Sequence, residues 1–191
     1  MELVLFPKRL DEKLNGKVQE RIGFFPEELV VELLSTALDE KPAPGELVEH
    51  YNSLSEAYLA RAKELLDSRD LPQTSGKLWG CAVLTIKMMA AKAGLKLDNI
   101  AEIWDFVEKL SAEREDDDLL TVFHVANSLR WNRDENLMNL QAVEAGAANV
   151  DRLIAKFREA PAEQSHESTS CACPSACYSS TEECVPPLEE M

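Results

Sequence analysis

Cysteine is nearly missing from the body of this chain: Cys81 stands alone until Cys171. That excludes a disulfide framework or a pair of zinc knuckles through the main part of the sequence. Glycine is scarce, seven in 191 residues, and there is no Gly-rich phosphate loop, no nucleophile elbow and no HExxH helix. Clusters of Lys and Arg are missing too. The formal charge is −15, and residues 161–191 carry six acids and no base, so broad non-specific binding to nucleic acid is disfavoured. Long hydrophobic runs are absent as well. The most apolar stretch, Leu78 to Ala91, is broken by Gly80, Thr85 and Lys87 and is too short to span a bilayer. The opening "MELVLFPKRLDEK" has an acid at position 2 and no small-residue cleavage site, unlike a secretory signal. The expected compartment is the cytosol.

What remains is an ordinary soluble composition, 45% hydrophobic, arranged with helical spacing. Prolines divide it into three regions. Residues 1–45 open with "ELVLF", a run of strand character ended by Pro7. Leu10, Leu14, Val18 and Ile22 then recur every four residues, Gly23 breaks the pattern, and Pro26 starts a second helix with Glu27 and Glu28 at its positive end. The order strand, helix, turn, helix resembles a ribbon-helix-helix unit, which implies a dimerisation or docking segment. Glu2 is the only polar side chain on the strand, which argues against DNA reading.

Residues 46–160 are helical throughout. One face runs through Leu54, Tyr58, Ala62, Leu65 and Leu66. The segment from Gln73 to Ala93 is apolar nearly all round, as the central helix of a bundle is. Asp98 or Asn99 is expected to cap the next helix, which carries Ile100, Ile103, Trp104, Val107 and Leu110 inward. Asp116 to Asp118 begin a fourth helix, with Leu119, Val122, Phe123 and Ala126 inward. A fifth shows Leu140, Val143, Ala147, Val150, Ile154 and Phe157 as a packing seam. The expected fold is all-α: an antiparallel bundle of about five helices behind a short strand and helical hairpin. Cys81, Trp79 and Trp104 read as core. From 161 to 191 the sequence is rich in Ser, Thr, Cys, Pro and Glu without periodicity, and a disordered tail is expected.

"EAYLARAKELLDSRDLPQTSGKLWGCAVLTIKMMAAKAG", followed by "IAEIWDFVEKLS" and "ANSLRWN", resembles the PaREP family of archaeal proteins, the first of its numbered series. The resemblance covers about 50–158, with "SGKLWGCA" as its most specific part. It implies a bundle similar to those of the HEPN superfamily, whose members include metal-independent ribonucleases, nucleotide-binding domains and inert scaffolds. The catalytic members carry an Arg followed after four to six residues by a His. In this sequence Arg130 is followed by "WNRDEN" and Arg133 by "DENLMNL", while His124 precedes both, and His50 and His166 follow no arginine at that interval. The proton-moving group of that chemistry is therefore not expected here.

Two constellations remain. Continuing the fourth helix places Arg130 on its inward face with Asn127 at the edge. Asn127, Arg130 and Asn132 are thus candidates for a polar cleft that holds an anion such as a nucleotide phosphate. The alternative is an Arg130 paired with a bundle carboxylate such as Glu102, Asp105 or Asp134, or reaching the surface at the frayed helix end, since an unpaired buried charge is costly. In the tail, Cys171, Cys173, Cys177 and Cys184 could ligate zinc, or they could be reactive or cross-linked thiols. No other cofactor is expected. The overall expectation is a homodimeric, non-catalytic scaffold or small-ligand binder with a nucleotide or a protein as its partner; the rival reading is a metal-independent ribonuclease or nucleotide-processing enzyme with a rearranged site around Arg130.

Overall fold

The computed structural model describes residues 7–19 and 21–158. The "ELVLF" run and the four tail cysteines lie outside them. Among the described residues the regular elements are helices: α1 (Lys8–Gln19), α2 (Pro26–Leu38), α3 (Pro44–Asp67), α4 (Leu71–Lys92), α5 (Ile100–Arg114), α6 (Asp117–Glu135) and α7 (Leu140–Arg158). The helical hairpin is α1–α2, and the bundle is α3–α7. None of these helices is long and apolar enough to cross a membrane.

Local chemistry sets the boundaries. Asp70 caps α4 by accepting from the Gln73 amide at 3.2 Å. Asn99, of the two candidates, caps α5 by accepting from the Glu102 amide at 3.1 Å, and Glu102 reaches back to the Asp98 amide at 2.6 Å. Gly23 makes the turn between α1 and α2 with φ +83°, a backbone conformation that side-chain-bearing residues resist.

The helix α4 is the axle. It packs on α3, α5, α6 and α7, and Cys81, Ala82, Val83, Leu84 and Ile86 are fully buried. Its contact with α3 is close because Gly80 has no side chain: a Cβ there would sit 2.5 Å from the Tyr58 ring. A buried hydroxyl pair, Ser55 and Thr85 at 2.8 Å, joins the same two helices. From α6 come Leu119, Val122, Phe123, Ala126 and Leu129, and from α7 Val143, Val150, Leu153 and Phe157, all at or below 1% exposure.

Polar contacts hold α7 to the start of α6: Lys156 Nζ donates to Asp116 at 2.7 Å and lies 3.3 Å from Asp118, and Arg152 donates to Asp118 at 2.6 Å. The hydrogen bond to Lys156 holds the Asp116 carboxyl below its usual range and raises the Lys156 ammonium above its own. The depressed carboxyl contributes stability that is present above its unfolded pKa and lost as pH falls through the folded value. The raised ammonium contributes stability that is full below its unfolded pKa and lost as pH rises through the folded one. The pair is partly solvated, so the gain is at most about 1 kcal/mol. Lys156→Ala should therefore lower the melting temperature slightly at neutral pH and leave it unchanged in strong acid, measured by circular dichroism across pH.

Candidate functional site

A lysine in the middle of an otherwise apolar central helix needs a counter-charge, because an uncompensated buried ammonium is prohibitive. Lys87, 1% exposed, finds it on α2. Its Nζ donates to both carboxylate oxygens of Glu28 at 2.7 and 2.8 Å. Glu28 is satisfied on every side: it also accepts from the Tyr51 hydroxyl at 3.0 Å and from the Phe25 amide at 2.9 Å. The ammonium lies 5.4 Å from the Phe24 ring centroid, and Arg21 stacks on the same ring at 3.8 Å. Further along α3, the Tyr58 hydroxyl donates to Glu27, the neighbour of Glu28, at 3.2 Å. The first turn of α2 is thus clipped to α3 and α4 by two adjacent carboxylates.

Desolvation pushes the Lys87 ammonium below its usual range, against the pull of Glu28. Burial and the Glu28 carboxylate push the Tyr51 phenol far above its own, so Tyr51 stays protonated and acts as a donor. This cluster is a closed hydrogen-bonded unit joining α2 to α3 and α4. Its role is to fix α2.

The clip engages only the beginning of α2, and the remainder stands off from α3. A cavity of about 600 Å³ fills the gap, between α2, the 39–42 connection and the start of α3, within the size range of small-molecule sites. Glu28 and Tyr51 form part of its lining, with Phe24, Val31, Leu47 and His50. A further hollow of about 390 Å³ shares Val31, Ser35 and His50 and continues toward Leu34 and Leu38. The His50 Nε2 is shielded from solvent and has no hydrogen-bond partner among the described residues, a condition costing about 1–3 kcal/mol until something fills it.

The residues at the end of α6 are placed differently. Leu129, not Arg130, takes the inward position after Ala126, because packing follows the step of three there. Arg130 lies on the flank, partly exposed, with its guanidinium 4.6 Å from the exposed Trp131 ring. It is not bonded to Glu102 or Asp105, and it contributes to holding the Asp134 carboxyl low, after the hydrogen bond from Arg133. Asn132 is 1% exposed and occupied: its Nδ2 donates to Ser75 at 2.7 Å and its Oδ1 accepts from the Met138 amide at 2.6 Å. It ties α6 to α4 and to the α6–α7 connection. Asn127 Oδ1 is shielded and has no hydrogen-bond partner among the described residues. The His124 ring packs at a tilt against Trp104, centroids 4.5 Å apart. Among the described residues no cluster of His, Cys, Asp and Glu has the arrangement of a metal site.

Reading the sequence alone misses the Glu28–Lys87–Tyr51 cluster and His50. The signal was present in Lys87, whose position on a fully apolar helix demands a carboxylate. What the sequence does not reveal is which carboxylate answers, since Glu28 lies 59 positions away.

No curated protein and no solved structure matches this sequence. A family model does, over residues 50–154, spanning α3 to α7. That is more than half of the chain and contains Lys87 and Tyr51, whereas Glu28 on α2 lies outside it. The chain belongs to the archaeal PaREP1/PaREP8 family.

Proposed function

We propose that this protein is a non-catalytic, small-ligand-binding helical bundle whose ligand enters the cavity between α2 and α3. The observation that carries this reading is the cavity itself. It has ligand-sized volume, apolar walls at Val31 and Leu47, and an unpartnered buried nitrogen on His50. Such a combination of apolar surface and a few placed polar groups is characteristic of binding sites. The adjacent ionic cluster is fully paired, which favours a fixed wall over a reacting group. The test is a thermal-shift screen of purified protein against nucleotides, short RNAs, amines and carboxylates, run beside a Ser35→Trp variant that fills the cavity. A ligand at a hundred times its dissociation constant adds about 2.7 kcal/mol of stability, and the variant should lose that gain. Incubated metal-free with single-stranded RNA, the protein should leave it intact. Cleavage that disappears in Arg130→Ala would favour the rival enzyme instead.

The same reading includes a homodimer formed through α1 and α2. Leu33, Leu34 and Leu38 are 54–69% exposed, and Leu10 and Ile22 add to this apolar surface, of the kind that marks contacts. Light scattering at micromolar concentration should give twice the 21.3 kDa chain mass, falling to the monomer in Leu33→Lys. A monomeric wild type would remove the dimer.

A further inference from the structure

We infer that the α2–α3 cavity takes a small amphipathic amine, its ammonium held at the C-terminal end of α2 and its carbon skeleton lying on Val31, Leu47 and Tyr51; this rests on the ligand-binding reading above. The charges around the cavity divide into those already spent and those still available. Glu28 is neutralised by Lys87, Glu32 lies 3.4 Å from Arg21, and Lys96 is paired with Asp98 at 2.9 Å. Asp39 and Glu40 line the same cavity, and neither has an ion-pair partner among the described residues. Lys41, exposed and likewise without a carboxylate partner, is the one opposing charge. Independently, α2 ends at this place. Asp39 caps it in a left-handed conformation, φ 53°, and no basic residue stands in its last turn. The negative end of the helix dipole is therefore uncompensated, and such an end favours a cation. Two free carboxylates and a helix C-terminus outweigh one solvated lysine.

The apolar wall and His50 restrict the ligand further. A fully solvated inorganic cation would gain nothing from Val31, Leu47 and the Tyr51 ring, whereas a carbon chain or ring does so at roughly 25 cal/mol per Å² buried. His50 offers a shielded nitrogen that an N–H or O–H group of such a ligand can fill. An anion would meet the acidic end of the cavity with no unpaired cation other than Lys41, so phosphate esters and fatty acids are disfavoured there.

The experiment is calorimetric titration of the full chain with octylamine, 2-phenylethylamine, octanoate and AMP. It is repeated on Asp39→Asn/Glu40→Gln and on Ser35→Trp. Asparagine tolerates the left-handed backbone at 39, and both sites are exposed, so the melting temperature should be unchanged by the double substitution. One or both amines should bind, at least about tenfold more tightly than octanoate or AMP, and lose about tenfold or more in the double variant. Amine binding that the double variant leaves unchanged would overturn the proposal. Octanoate or AMP binding as tightly as the amines, and lost in Ser35→Trp, would overturn the amine class while leaving the cavity a ligand site. Absence of binding by every probe would overturn both.

Discussion

Lys87→Met should destabilise the protein by about 3–5 kcal/mol, since it leaves the Glu28 carboxylate buried with its positive partner removed. The loss should exceed that of most core truncations because Glu28, 6% exposed, cannot turn out to water without releasing Tyr51 and the Phe25 amide. Adding Glu28→Gln to the same protein should restore a large part of that loss. The amide keeps an acceptor for the Tyr51 hydroxyl or the Phe25 amide, and no unpaired charge stays buried. Glu28→Gln alone should be costly as well, because it strands the ammonium. Chemical denaturation of the four proteins closes the cycle. If the two single changes simply added, the pair would not be coupled and α2 would not be fastened in this way.

Trp79→Ala should cost about 3–5 kcal/mol. Trp79 is 3% exposed and stacks on Phe123 at 6.1 Å, where α4 meets α6, so truncation opens a void that two packed helices cannot close. Trp104 contacts Phe123 edge-on at 4.4 Å but is only partly buried. For Trp104→Ala the expected loss is closer to about 2 kcal/mol, in proportion to the area it removes from water. Equal losses would contradict the placement of Trp104 at the margin of the core. A ligand-binding defect in Trp79→Ala without a stability change would contradict a packing role for Trp79.

The bundle was readable because its signals are local. The stripes of α5 and α7, the apolar circumference of α4 and the cap at Asn99 each follow from spacing within one helix. Cys81 sits where a small apolar residue was expected. The ends of stripes are less secure: at α6 both 129 and 130 continue the pattern from Ala126, and only packing against α7 decides for Leu129, which meets Gly146. Asn132 shows the same limit in another form. Its carboxamide looked available beside Arg130, but Ser75 and the Met138 amide, from distant parts of the chain, already occupy it.

The candidate cavity was not readable at all. It depends on how far α2 stands from α3, which is set by the reach of Glu27 and Glu28 to Tyr58, Tyr51 and Lys87. No periodicity encodes that spacing. The sequence did show a helix starting at Pro26 with two acids in its first turn, read as partners of the helix dipole. In the folded chain the same two side chains also anchor the helix.

The most direct test of a ligand site beneath α2 is amide chemical-shift mapping of the full chain titrated with octylamine. Saturable shifts are expected at Val31, Ser35, Asp39, Glu40, Leu47 and His50 alone, with Asn127, Arg130 and Asn132 unmoved. Saturable shifts centred on Arg130 and Asn127, with the α2–α3 residues silent, would contradict that site.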